Sequence, residues 1–179
     1  NNEISGQVPN TPIINEFLSW KLTNPNYYNQ SIALYNELNI EQIEIILSKL
    51  TEHHDILRAN FNNQLYIKSI SDFEKIRIYK YKANNNNLSN IFIEIQNSID
   101  LKNGPLLRGN IIETPKGNIL FLCIHHLIID GFSWRILFDD FNKAKNQLIT
   151  KHEIHLGYKT DSYLEWANAI NEYIANNTN

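Results

Sequence analysis

Residues 118–131 read NILFLCIHHLIIDG. From Ile119 to Ile124 the run is apolar without a break. A strand with one wet face alternates apolar and polar residues, so an unbroken run predicts a strand covered on both faces. Such a strand has to lie inside a sheet, with other elements layered around it. Just upstream, Leu106–Glu113 and the turn Thr114-Pro115-Lys116-Gly117 predict the partner arm of an antiparallel hairpin. Just downstream, Gly131 begins a turn and Phe132 to about Leu148 predicts a helix.

Further out, residues 27–35 (YYNQSIALY) predict a strand with Ser31, Ala33 and Tyr35 on one face and Ile32 and Leu34 on the other. Asn39 is placed to cap a helix in which Ile40, Ile43, Ile46, Leu47 and Leu50 recur at helical spacing, to about His53. Residues 56–61 and 64–69 predict a strand pair turning at Asn62-Asn63. Residues 76–81 predict a short strand and 88–99 a helix. Thr11-Pro12 is a helix start, and Ser162 can cap a last helix from Tyr163 to Ile174. The run Asn84-Asn85-Asn86-Asn87 reads as a polar surface loop, not a linker. Strands and helices interleave, but the clearest pairing is antiparallel. The expectation is one α/β domain over residues 1–179, a sandwich of helices on a mixed, mostly antiparallel sheet.

Composition narrows the function. Of 179 residues, 42% are hydrophobic and 20% charged, which excludes a disordered or collagen-like chain. The net charge of -3 leaves no broad basic face for nucleic acid. No apolar run nears the roughly 18 residues that span a bilayer. The start NNEISGQVPN has neither the charged nor the apolar region of a signal peptide. With one cysteine, Cys123, there is no disulfide framework and no cysteine-based zinc site. A reducing cytoplasm is the default expectation. Methionine is absent, even at position 1, so a chain processed or cut from a longer polypeptide is expected.

The strand end carries His125-His126-Leu127-Ile128-Ile129-Asp130-Gly131. Adjacent strand residues face opposite sides, so one histidine can face a cavity while the other packs inside. A neutral imidazole suits a general base near pH 7. Asp130 follows three apolar residues and reads as a buried acid in need of a partner, for which arginine is best. Gly131 could take φ > 0 or let backbone approach a substrate. A lone histidine at a strand end is more often packing than chemistry; two histidines, an acid and a glycine in seven residues favour a site. A metal reading is weaker, because the two histidines diverge and no carboxylate pair stands nearby. Cys123 shares a strand face with His125 and reads as a small core hydrophobe. A second group, His53-His54-Asp55-Ile56-Leu57-Arg58, sets Arg58 in an apolar context where an unpaired guanidinium is costly. The plain reading is a helix end followed by a strand with a solvated His53-His54-Asp55; the position of Arg58 argues otherwise, and Asp130 is its predicted partner.

HHLIIDG resembles the HHxxxDG signature of the condensation-domain superfamily of non-ribosomal peptide synthetases. Three other stretches resemble that family's motifs in order: Val8-Pro9-Asn10-Thr11-Pro12-Ile13, His54 to Phe61, and Leu101 to Arg108. Asn29-Gln30-Ser31, Asp130-Gly131-Phe132-Ser133-Trp134-Arg135-Ile136-Leu137 and the stretch Lys159 to Ala167 look like the epimerization branch, although Ile14 stands where a glutamine is usual. The resemblance implies a chloramphenicol-acetyltransferase-like fold, with this chain as the N-terminal of two lobes. It implies His126 as catalytic base, His125 as structural, Asp130 paired with Arg58, and Gly131 with Ser133 near the substrate. It further implies epimerization of an aminoacyl or peptidyl thioester held on the phosphopantetheine arm of a peptidyl carrier domain. No bound cofactor is expected, and the isolated lobe is expected to be folded but inactive without its C-terminal lobe. The alternatives are a condensation domain forming an amide bond, a carrier-docking module without chemistry, and a standalone acyl-coenzyme A transferase.

Overall fold

The 118–131 segment contains the hub of the molecule. Strand β7 (Gly117–His125) lies inside a four-stranded sheet of order β2-β7-β6-β5, with β2 Asn29–Tyr35, β6 Leu107–Thr114 and β5 Tyr79–Lys82. The structure is a computed structural model and describes residues 3–84 and 86–177. Asn1 and Asn2 of the opening stretch and Asn85 of the asparagine run fall outside the described residues. The β6–β7 and β2–β7 pairs are antiparallel and β5 joins β6 in parallel, so the sheet is mixed as expected. Gly117 takes φ +122 at the hairpin turn, a conformation that glycine tolerates and side chains rarely adopt.

Both faces of β7 are covered. On one face Gly109 of β6 sits against Leu47 of helix α2 (Ile40–His53), beside Leu122 and Ile78. On the other, Phe121 stacks on Phe92 of α3 (Leu88–Asn97) with ring centroids 4.5 Å apart. Cover on two sides explains why the run from Leu120 to His125 is buried throughout. Helix α2 starts with a capping box: Asn39 accepts from the Gln42 backbone, and Gln42 reaches back to the Asn39 N–H. Its buried stripe is Ile43, Ile46, Leu47 and Leu50. Each such side chain contributes about 1.5–3 kcal/mol by leaving water.

Helix α4 (Gly131–Ile149) packs beside α2 and follows β7 after a short turn. Helix α1 (Pro12–Ser19) begins at Thr11-Pro12, although the Thr11 side chain makes no cap bond. Helix α5 (Tyr163–Asn177) begins behind Ser162, whose hydroxyl accepts from the Glu165 backbone while Glu165 accepts from the Ser162 N–H.

Two expectations change. Residues 56–61 are not one strand: Asp55–Arg58 is a turn of 3-10 helix, and only Ala59–Phe61 (β3) is extended. The i,i+3 ion pair between Asp55 and Arg58 closes that turn. Strand β3 pairs with β4 (Leu65–Ile67) as predicted, but with β1 (Gly6–Gln7) it makes a separate three-stranded sheet of order β1-β4-β3. The 76–81 strand is shifted to Tyr79–Lys82, because the Ile78 N–H donates to Glu44 of α2 (2.9 Å) rather than to a strand.

Candidate active site

The two histidines diverge as strand geometry requires. His125 ends β7 and is fully buried. Its Nε2 donates to the Pro25 carbonyl (2.8 Å), its Nδ1 accepts from the Leu127 N–H (3.2 Å), and Phe17 meets it edge-on. Burial pushes its pKa down to about 4, so it is a neutral structural side chain at pH 7.

His126 is half-buried and lies outside the ladder. Its backbone N–H donates to the Tyr28 carbonyl, and the Tyr28 ring stacks on the imidazole at 4.9 Å and 13°. Nδ1 lies 2.8 Å from the Ile129 carbonyl, which can only accept, so Nδ1 carries the proton and Nε2 keeps a lone pair. Gln30 Nε2 stands 2.9 Å from that lone pair. The ring borders a cleft of about 200 Å³, shared with Trp20, Tyr28, Asp130, Ser133 and Trp166. In the uncharged form, such an imidazole beside an aromatic-lined cleft can take a proton from a bound molecule once the Gln30 amide gives way at Nε2.

Asp130 is not the buried acid that was expected. It is exposed and caps α4, its Oδ1 accepting from the Ser133 N–H at 2.7 Å. The Ser133 hydrogen bonds hold its carboxyl below the usual aspartate range. It does not pair with Arg58. Arg58, 1% exposed, binds Asp55 Oδ1 (2.9 Å) and the carbonyls of Thr51 (2.6 Å), Ile4 (2.8 Å) and Lys68 (2.9 Å). Asp55 also takes Lys159 Nζ at 2.9 Å. The acid three residues before the arginine was available in the sequence and shares its helical turn, which is why it wins over a distant one. Gly131 has no positive φ, so that reason for a glycine does not hold, and a Cβ there would meet none of the chain's own atoms within 4 Å. Ser133 does border the His126 cleft.

Cys123 is fully buried, and burial pushes its thiol up to about 12, as befits a core residue. His54 is not solvated: its Nε2 is 2.8 Å from Asp140 of α4. His53, His54 and Asp140 present three possible metal-ligand atoms within 4.8 Å of one another. They border a second cavity of about 280 Å³ with Asp55 and Lys159. The His54–Asp140 bond already occupies two of those three groups. Sequence reading missed Asp140 because it arrives from another helix, 86 residues on. It also missed Gln30 and Trp134 as neighbours of His126. The face assignment of the 27–35 strand carried that signal, since Gln30 falls on the side of Ile32 and Leu34.

A family model described as "Condensation domain" matches residues 16–179. Bacitracin synthase 2 of Bacillus licheniformis is 35% identical over 184 residues, covering 95% of this chain and 7% of that protein. Tyrocidine synthase 2 of Brevibacillus parabrevis is likewise 35% identical, with 95% of this chain and 5% of that protein covered. Among solved structures, the epimerization domain from the third module of tyrocidine synthetase B superposes with a TM-score of 0.86 at 34% identity, over 95% of this chain and 41% of that one. The starter condensation domain of rhizomide synthetase gives 0.70 over 93% of this chain and 43% of that one; at 14% identity it shares the fold alone. The chain thus spans less than half of each solved domain and a small part of each synthase. These domains have the chloramphenicol-acetyltransferase-like fold, and so does this chain. With the HHxxxDG turn, the mixed sheet around it and the family match in agreement, the chain belongs to the condensation-domain family.

Proposed function

We propose that this chain is the base-bearing N-terminal lobe of an epimerization domain in a non-ribosomal peptide synthetase. The observation that carries the reading is His126: a ring oriented by the Ile129 carbonyl at Nδ1, which leaves Nε2 as its basic nitrogen, on a residue that borders an aromatic-lined cleft. The likeness to a solved epimerization domain supports the subtype. In this reading Nε2 takes the α-proton of a carrier-tethered aminoacyl or peptidyl thioester. The carbon keeps the electron pair as an enolate-like species, and a proton returned from the opposite face inverts the centre. The α-proton is weakly acidic, so the developing oxyanion also needs stabilisation. A C-terminal lobe would close the cleft and provide the second acid. The carrier domain would bring the phosphopantetheine arm, and the lobe alone would be inactive.

The test uses an intact two-lobed domain containing this chain, loaded with an L-aminoacyl or peptidyl carrier in D2O. Deuterium at the α-carbon that is lost in His126→Ala is the expected result. Absence of wash-in, with amide product once a second loaded carrier is added, would instead establish condensation.

A further inference from the structure

Gln30 is built into the site more firmly than a lining residue. Its Oε1 accepts from the Trp134 indole Nε1–H at 2.9 Å, and its Nε2 lies 2.9 Å from His126 Nε2. An amide side chain can usually be turned end for end, but here the chemistry fixes it. An indole N–H only donates, so the amide oxygen must face Trp134 and the NH2 must face His126. At the other edge of the ring, the Ile129 carbonyl only accepts, so it requires the proton on Nδ1. All four groups then agree on one arrangement: Trp134 donates to Gln30, Gln30 donates to His126 Nε2, and His126 Nδ1 donates to Ile129. Placing a proton on Nε2 would set N–H against N–H, and no acceptor would be left there. Both side chains come from regular elements: Gln30 sits on β2, paired with Ile124 of β7, and Trp134 is buried on the first turn of α4.

We propose that Gln30, clamped by the Trp134 indole, is a positioning residue that fixes the tautomer of His126 and occupies its Nε2 lone pair until substrate displaces the amide. The base is thereby kept aimed and unprotonated while the cleft is empty. After a proton is taken, the amide has to turn away from the new N–H, so the resting bond returns only when the proton has left. This rests on the reading of His126 as the base, but it concerns the ring itself and can be tested without turnover. The titratable groups around the ring are Tyr28 stacked on it, His125 before it, and Asp130 and Tyr163 at the cleft.

The experiment follows the imidazole nitrogens of the 15N-labelled chain by long-range 1H–15N correlation across pH. In the wild type, neutral His126 is expected to show a protonated Nδ1 and a bare Nε2. In Gln30→Glu, a carboxylate accepts from both Trp134 and a protonated Nε2. The midpoint of His126 should then rise by about one pH unit, a tenfold change in proton affinity. In Trp134→Phe the amide can turn its oxygen to the ring, and the Nε2–H tautomer should gain population over wild type, against the Ile129 carbonyl that still favours Nδ1–H. A wild-type ring protonated at Nε2 overturns the proposal. So does a Gln30→Glu midpoint that stays put, or, should that variant not fold, an unchanged tautomer in Trp134→Phe. Missing deuterium wash-in in the two-lobed domain would leave these spectra untouched, so the two readings fail separately.

Discussion

Replacing Arg58 by alanine should unfold much of the molecule's margin of stability, and the loss should be traceable to Asp55. The guanidinium makes four hydrogen bonds in a nearly water-free setting: one to Asp55 and three to the carbonyls of Ile4, Thr51 and Lys68. Removing one partner of a buried ion pair costs about 3–5 kcal/mol, because the other charge stays buried. Lys159 remains on Asp55 and softens the loss, which places the expectation near the lower end, about 3 kcal/mol. For a chain of this length that is a fall in Tm of about 6–12 °C. The assay is urea unfolding followed by tryptophan fluorescence and far-UV circular dichroism, with coincident transitions as the check on two-state behaviour. A double-mutant cycle locates the partner. Arg58→Ala with Asp55→Asn should couple by at least about 1 kcal/mol, while Arg58→Ala with Asp130→Asn should add within about 0.5 kcal/mol. Coupling to Asp130 and none to Asp55 would refute the assignment and restore the pairing that the family resemblance implies.

Four further outcomes are expected. Asp130→Ala removes the α4 cap and should cost about 1 kcal/mol in the same urea assay, whereas Asp130→Asn should cost less. His125 is held near 4 in the fold against about 6.5 unfolded, so the unfolded chain binds the extra proton between those values and stability must fall as pH drops from about 6.5 to about 4. That loss is about 3 kcal/mol by the pKa difference, and urea midpoints for His125→Gln should lose this part of the pH slope. A Cβ on Gly109 would sit 2.8 Å from Ile78 Cδ1 and 3.0 Å from Leu47 Cδ1, so Gly109→Ala should destabilise by about 1–3 kcal/mol unless both side chains can give way; an unchanged Tm would show that they can. Cys123, buried with its thiol pushed up to about 12, should react with a thiol reagent only as fast as the chain opens, and a native-state rate near that of a free thiol would contradict the burial.

What could be read from the sequence was mostly what is periodic or contiguous. The unbroken run before His125 announced a doubly covered strand, and the Asn39 and Ser162 caps announced two helices, because each signal lies within a few residues. Strand alternation announced that only one of His125 and His126 can face a cavity, while the assignment of which one came from the family resemblance. The failures share a cause. Asp130 follows three apolar residues and looked buried, but the chain turns there and the carboxylate stays outside as a helix cap. Arg58 does need an acid, yet spacing along the chain cannot say which acid the backbone folds against, and Asp130 was preferred to Asp55 three residues away. The Gln30–Trp134–His126 chain and the His54–Asp140 pair join residues 86 or more positions apart, and only the sheet register and the α2–α4 packing bring them together.

The register of β2 against β7 has a consequence for how such chains can change length. Gln30 meets His126 because Asn29 is paired with His125, and every residue of β2 is counted from that pairing. With that pairing kept, deleting one residue after Gln30 would turn the rest of β2 to the opposite faces, and a one-residue slip that restored the packing of Ile32 and Leu34 would turn the Gln30 amide away from the histidine. The Thr114–Gly117 hairpin at the opposite end of β7 carries no such count, since residues added there leave the β2 pairing untouched. The sheet therefore behaves like a ruler with one fixed end. Loop growth and grafted sequence belong at the turn, whereas the strand that faces the histidine has to keep its length to the residue.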